Sequence, residues 1–290
     1  MIFDGKAFAR SIEEQASYKV RNFVKKPKIV SVLIGNDPAS ELYTRLKEQA
    51  AQRVGISFEV QRISNIEYSE LRNRIEEIGQ RDDVMGVMVQ LPISGLQGQA
   101  LMDVLSAIPL AKDVDGLRWE ESHVMPATVR AVMSILENIS NHKVPNSGPE
   151  SSEPLGSELW ARKFVVLGAR GAVGRPLVHF LREKGADVVE VEWDTPDPSN
   201  LVAQGEVVIS CVDKTGLVTG DMVKPGVIAI DVGMSKAIEQ RTGISNIEKK
   251  RVVGDMTDEV YAKASVAVPV PGGVGPVTVA SLMNNANDLI

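Results

Sequence analysis

Cysteine is nearly absent: Cys211 stands alone, so no disulfide can form within the chain. That excludes a disulfide-stapled scaffold and fits a reducing compartment such as the cytoplasm. Cys211 lies in the apolar run 207–212, where a small buried hydrophobe is expected rather than a nucleophile. Histidine is scarce as well. His123, His142 and His179 show no HxxxH spacing and no CxxC exists, so no metal site is expected. No run approaches the ~20 apolar residues of a membrane span. Residues 1–6 lack a signal-peptide core, so a cytoplasmic protein without a membrane partner is expected. There is no basic excess either. The net charge of −6 argues against nucleic acid as a partner. What is present is an ordinary soluble composition, 43% hydrophobic and 24% charged, over 290 residues, which is enough for two domains.

The first half alternates helix-like and strand-like segments. Residues 7–23 read as a helix and 28–34 as an apolar strand, followed by the turn Gly35-Asn36-Asp37-Pro38. Asp37 can N-cap a helix over 39–54, with Pro38 at its first position and Gly55 at its end. Strands are expected at 58–63 and 86–90, and helices at 69–80 and 101–108, before the polar loop Lys112-Asp113-Val114-Asp115-Gly116. This alternation predicts a mostly parallel sheet covered by helices. Residues 128–138 read as a connecting helix. Residues 140–158, rich in Ser, Pro, Asn, Gly and Glu, read as a mobile surface loop.

In the second half an apolar strand at 164–167 runs into Gly168-Ala169-Arg170-Gly171-Ala172-Val173-Gly174, which opens a helix over 176–184. Further strands at 187–191, 207–212, 227–231 and 251–253 complete a Rossmann-type pattern. The run 268–278 then holds three prolines and three glycines, a stiff loop that lets backbone approach something closely. A last helix over 277–289 has no strand after it and is expected to return to the first domain. The expected domains are therefore 1–126 completed by 276–290, and a dinucleotide-binding domain over 127–268.

Several positions carry chemistry. The spacing Gly168-x-x-Gly171-x-x-Gly174 suits a pyrophosphate at a helix N-terminus, or a tight strand-to-helix turn with no ligand. Tyr43 and Lys47 share one helix face, as a site pair or as a ring packed on a lysine stem. Gln90 and Leu91-Pro92 follow a strand's carboxyl end, where ligands bind in open α/β sheets, although a polar strand cap explains them too. Asp113 and Asp115 flank a turn that Asx chemistry alone could account for.

Taken together, Tyr43-xxx-Lys47, Val89-Gln90-Leu91-Pro92, Lys112-Asp113-Val114-Asp115-Gly116, Gly254-Asp255 and the run 269–278 resemble one family. It is the bifunctional methylenetetrahydrofolate dehydrogenase/methenyltetrahydrofolate cyclohydrolase family. The resemblance covers nearly the whole chain outside 140–158. It implies an α/β fold, with an N-terminal α/β domain, a Rossmann-type domain and a folate cleft between them. The implied reaction oxidises 5,10-methylenetetrahydrofolate by hydride transfer to a nicotinamide and hydrolyses the methenyl product to 10-formyltetrahydrofolate. Lys47 matches the family's catalytic lysine, Tyr43 the tyrosine that stacks on the folate, and Gln90 the lysine's hydrogen-bonding partner. Asp115 matches the aspartate that holds the pterin ring, and Pro271, Gly272 and Gly273 would line the same cleft. The implied dinucleotide site takes Gly168, Ala169, Arg170, Gly171, Val173 and Gly174 of the turn. Glu192, Trp193 and Asp194 would add to it, with Val212, Asp213 and Met234. The family cofactor is NADP, no metal is implied, and homodimers are usual.

The cofactor half departs from the family. Gly168-Ala169-Arg170 stands where Gly-Arg-Ser is usual, and Glu192-Trp193-Asp194 where His-Ser and a basic residue are usual. Asp213 replaces a glycine, Val268 a threonine and Ala127 a cysteine. A carboxylate after the second Rossmann strand normally takes the ribose 2′-hydroxyl of NAD. Glu192 and Asp194 therefore suggest NAD. Three readings follow: the bifunctional enzyme, a cyclohydrolase with a degenerate dinucleotide site, and a non-catalytic folate-binding regulatory protein.

Overall fold

The computed structural model of the chain describes residues 1–23, 25–64, 67–141, 156–192, 194–238 and 250–289. Its contacts divide into two units, one of Phe8–Ala127 with Thr278–Ile290 and one of Met1–Ala7 with Thr128–Val277.

The first unit is built on Lys28–Ile34 (β1), whose five central residues are all buried. A strand so continuously buried needs cover on both faces. It follows Gly5–Val20 (α1) and leads through Pro38–Val54 (α2) to Ser57–Ile63 (β2), Tyr68–Gln80 (α3) and Gly86–Val89 (β3). Gly98–Leu105 (α4) and Trp119–Ser122 (α5) come next, and Ala127–Asn141 (α6) belongs, from Thr128 on, to the second unit. The sheet is parallel, in the order β2-β1-β3. Side chains alternate across it with the period of a strand. Ile29 packs into a cluster with Ala50, Ala51 and Val54 of α2 and Val279, Leu282, Met283 and Ala286 near the C-terminus. Val30 and Val32 pack into another with Leu71, Ile75 and Ile78 of α3 and Leu105 of α4. The C-terminal residues do return to this unit, and Asn287 Nδ2 donates to the Ala16 carbonyl there.

After α6 the second unit continues with Lys163–Leu167 (β4), Gly174–Glu183 (α7), Asp187–Val191 (β5), Pro198–Val202 (α8), Val207–Ser210 (β6) and Ile228–Asp231 (β7). Ser235–Ile238 (β8), Lys250–Val253 (β9), Asp258–Lys263 (α9) and Val266–Val268 (β10) follow, and Val274–Asp288 (α10) belongs from Thr278 on to the first unit. Five parallel strands run in the order β10-β7-β6-β4-β5. The strand order reverses between β4 and β6. That switch point is where doubly wound sheets bind ligands, beyond the carboxyl ends of the strands.

The structure corrects several expectations. Residues 251–253 do not continue the parallel series; β9 pairs antiparallel with β8 in a separate two-stranded ribbon. The fifth sheet position goes to β10, so Val268 ends a strand instead of opening the loop. The last helix begins at Val274, not 277, and Pro276 falls within its first turn, where a missing N–H costs little. Residues 1–7 cluster with the second unit because Phe3 N–H donates to the Ala267 carbonyl and Ala267 N–H to the Met1 carbonyl. Of the expected loop 140–158, Ser140 and Asn141 belong to α6 and Gly156–Leu159 forms a 3-10 turn. Ser140 Oγ donates to the Gly156 carbonyl, and residues 142–155 lie outside the described residues.

Candidate functional site

The lysine site starts from how α2 is made. Asp37 caps its first turn, accepting the Ser40 N–H at 2.8 Å, and Gly55 ends it at φ 94°. The buried stripe of this helix runs Ser40, Thr44, Lys47, Ala51 and Val54, the 3.6-residue period. Lys47 therefore points inward, and Tyr43, one place round the helix, is half-buried. Lys47 Nζ donates to Gln90 Oε1 at 3.2 Å and to Asp115 Oδ2 at 3.3 Å. The lysine and aspartate side chains are 8% and 15% exposed, so the pair is largely withdrawn from water. A buried ammonium needs a countercharge and hydrogen-bond acceptors, and this site supplies both.

Each partner is itself held. Gln90 lies one residue past β3, and its Nε2 donates to the Leu91 carbonyl at 2.8 Å, which turns Oε1 toward the lysine. The Leu91–Pro92 and Val270–Pro271 peptide bonds are cis. Asp115 sits on a loop tied from within by Asp113, which is fully buried. Asp113 accepts the N–H groups of Leu117 and Arg118 at 3.0 and 2.9 Å and the Ser122 hydroxyl at 2.9 Å. Burial pushes its carboxyl above the ordinary value against the pull of those donors. Asn285 closes the loop from outside, donating Nδ2 to the Val114 and Met125 carbonyls at 2.9 Å each. Gly116 has φ 66°, and a Cβ there would stand 2.6 Å from Val124 O, so only glycine fits. The two aspartates that look alike in sequence thus differ: Asp113 builds the loop and Asp115 faces the lysine.

The glycine-turn site lies at the switch point of the second unit. Gly168 has φ 74°, Gly171 N–H donates to its carbonyl at 3.0 Å, and a Cβ on Gly174 would stand 2.0 Å from that same oxygen. Ala169 is buried, so its backbone is what it can offer a ligand, while Val173 precedes the first residue of α7. Glu192, just past β5, accepts the Arg170 backbone N–H, and Asp194 accepts from the Arg170 guanidinium. Arg170 Nε is 3.7 Å from the Glu192 carboxylate, so both carboxylates surround one cation. Trp193 lies outside the described residues.

Beyond β6, Val212 and Met234 are 36% and 39% exposed. Asp213 has φ 61°, the left-handed region that suits the family's glycine and that aspartate tolerates. Its Oδ1 accepts the Met234 N–H at 2.6 Å. Cys211 is half-buried rather than fully so. Burial, reinforced by Asp255, Asp213 and Asp231, pushes its thiol well above the ordinary value, which keeps it protonated and unfit as a nucleophile. In the Pro/Gly loop, Gly272 has φ 106°, Pro271 is exposed, and a Cβ on Gly5 would stand 2.5 and 2.0 Å from the Gly272 and Gly273 carbonyl oxygens. The loop's close backbone approach is, at this point, to the start of α1.

Residues 3–115 match the model of the tetrahydrofolate dehydrogenase/cyclohydrolase catalytic domain, and residues 152–290 that of the same family's NAD(P)-binding domain. A curated relative from Lactobacillus johnsonii, bifunctional protein FolD 2, is 33% identical over 98% of this chain and 95% of its own. The bifunctional methylenetetrahydrofolate dehydrogenase/cyclohydrolase of Campylobacter jejuni is 30% identical, with a TM-score of 0.83 covering 100% of this chain and 98% of that one. The Trypanosoma brucei enzyme, solved with NADP and an inhibitor, is 27% identical at a TM-score of 0.83, covering 100% and 96%.

Proposed function

The chain belongs to the tetrahydrofolate dehydrogenase/cyclohydrolase family, and from that premise we propose that Lys47, Gln90 and Asp115 handle the folate while the glycine turn takes the dinucleotide. The enzyme oxidises 5,10-methylenetetrahydrofolate and hydrolyses the methenyl product to 10-formyltetrahydrofolate. The observation that carries the assignment is the Lys47 ammonium held 3.2 Å from Gln90 and 3.3 Å from Asp115 in a largely dry site. Two of its three donors are directed at these partners, and the third serves the folate. While water adds to the methenyl carbon, Lys47 steers the proton, a role worth roughly 10²–10⁴-fold. Gln90 fixes the lysine's direction. Asp115 offers Oδ2 to Lys47 and leaves Oδ1 to accept from N–H donors on the pterin edge. Tyr43 supplies a half-buried ring for the folate to stack on, and Pro271, Gly272 and Gly273 are offered as further lining.

Hydride transfer asks less of the side chains than of placement. The bound nicotinamide supplies the hydride acceptor. The chain supplies a tight glycine turn at the switch point, where a Cβ on Gly168 or Gly174 would collide with backbone, with Glu192 at the end of the next strand. Glu192 stands where a carboxylate takes a ribose 2′-hydroxyl and repels a 2′-phosphate. Arg170, the cation of this turn, is already paired with Glu192 and Asp194. NAD is therefore used at least as well as NADP. Paired assays on the purified chain test the whole reading: methenyl hydrolysis without nucleotide, and methylene oxidation with NAD and with NADP. Hydrolysis with no oxidation by either nucleotide leaves a cyclohydrolase alone. A preference for NADP above about 100-fold, some 2.7 kcal/mol, overturns the NAD reading.

A further inference from the structure

At the buried carboxyl ends of β6 and β7 lies a chain of buried carboxylates that the folate chemistry does not use. Asp255 is fully buried, just past β9. Its Oδ2 accepts the Ser210 hydroxyl at 2.7 Å and the Val212 N–H at 2.9 Å, and its Oδ1 accepts the Lys214 N–H at 2.8 Å. One carboxylate thus gathers three donors from a single stretch, 210–214. Asp255 is held in turn. Asp231, at the end of β7 and also fully buried, accepts the Asp255 N–H at 3.0 Å and the Met256 N–H and Tyr261 hydroxyl at 2.9 and 2.7 Å. The packing leaves no slack. A Cβ on Gly233 would stand 2.2 Å from the Asp255 carboxylate, and one on Gly254 would stand 2.0 Å from Asp231 Oδ2.

The stretch these carboxylates hold borders the glycine turn. A Cβ on Gly168 would stand 2.7 Å from the Cys211 carbonyl oxygen, so the loop beyond β6 forms one wall of the switch point. It presents Val212 outward and sets Asp213 in the left-handed conformation that ties Met234. We infer that Asp255 is a positioning residue for the dinucleotide, fixing the 211–214 wall through three hydrogen bonds, with Asp231 setting Asp255 from behind. The inference rests on the reading that the dinucleotide binds at this switch point. It adds that affinity for the nucleotide depends on a buried group that need not touch it.

Asp255→Asn keeps the shape and turns one acceptor into a donor, which leaves one of the three donors facing an N–H. The parent and the variant are compared by NADH and NADPH titration, by nucleotide KM and kcat for methylene oxidation, by methenyl hydrolysis without nucleotide, and by thermal melting. The expected result is a weakening of nucleotide binding, and a matching KM rise, of about tenfold or more, since a charge-assisted bond of this kind is lost. Hydrolysis stays within about twofold, which a general loss of structure would not allow. Equal nucleotide affinity in parent and variant overturns the positioning role alone, as does a parallel fall in both activities. A parent that binds neither nucleotide overturns the switch-point reading, and this inference with it. Should Asp255→Asn fail to fold, Ser210→Ala removes one donor and leaves the carboxylate in place. It is expected to raise nucleotide KM about threefold with hydrolysis unchanged, and no rise overturns the inference.

Discussion

Both candidate sites set one cation among neighbouring polar groups, yet they do so in opposite surroundings. Lys47 is 8% exposed and meets one carboxylate and one amide oxygen. Arg170 is 60% exposed and meets two carboxylates. In the buried pair, Coulomb attraction is weakly screened, and removing one partner strands the other. Around Arg170 the guanidinium and Asp194, 60% and 45% exposed, are screened by water and their pairing stabilises little, while Glu192, 15% exposed, is screened less. The first arrangement fixes the direction of the ammonium to which the proton-handling role is proposed. The second sets local charge, and with one cation against two acids it stays unfavourable to a further phosphate. The same residue types therefore do different work according to burial, and substitution effects should separate the sites accordingly.

The largest effect is expected at the buried cation. Lys47→Met keeps most of the stem, and methenyl hydrolysis should fall by roughly 10²–10⁴-fold with folate binding largely retained. Hydrolysis within threefold of the parent takes Lys47 out of the mechanism. Next, Asp115→Ala should weaken folate binding in both activities by about 1.5–3 kcal/mol, read by titration. Unchanged affinity returns Asp115 to turn-building alone.

The Asp231 carboxyl gives a pH signature. Burial raises it to about 6, against donors from Tyr261, Met256 and Asp255 that lower it, while the Asp255 charge adds to the rise. The folded state therefore binds this proton more tightly than the unfolded state, whose value is ~3.9. The stabilisation is full below about pH 4 and is lost as pH rises through about 6, on the order of 3 kcal/mol in all. Denaturant titrations of parent and Asp231→Asn at pH 4.5 and 7.5 should show that slope in the parent only. Equal slopes in the two proteins refute it.

Smaller effects are expected at the exposed cluster. Glu192→Gln should shift the NADP-to-NAD ratio of kcat/KM toward NADP by about tenfold, or 1.4 kcal/mol. No shift places the glutamate away from the ribose. Arg170→Ala should change NAD oxidation by less than about threefold, since an exposed pair contributes 0–1 kcal/mol. A selective collapse of NADP use in that variant shows instead that the guanidinium leaves its carboxylates for a phosphate.

What the sequence alone determined was local. The apolar run of β1, the Asp37 cap, the Gly55 stop and the Gly168 turn act within a few residues, and their bond partners lie beside them in the chain. The motifs marked Tyr43, Lys47, Gln90 and Asp115, as well as the family. Tertiary structure decided which of these meet. Lys47 reaches Gln90 across 43 positions and Asp115 across 68, and no spacing rule covers such distances. It also decided that Asp113 is buried while Asp115 faces the lysine, a difference of neighbours and not of residue type. Asn285 was legible only as a polar residue within the apolar stripe 279, 282, 283 and 286, and its two carbonyl partners lie 171 and 160 positions away. β9 reads as one more parallel strand because its pattern carries no direction, and pairing with β8 settled it. The charges of Glu192 and Asp194 stood in the sequence, whereas their capture of Arg170 followed from β4 and β5 lying side by side. Burial and pairing are properties of the packed chain, because both depend on which distant groups exclude water from a given atom.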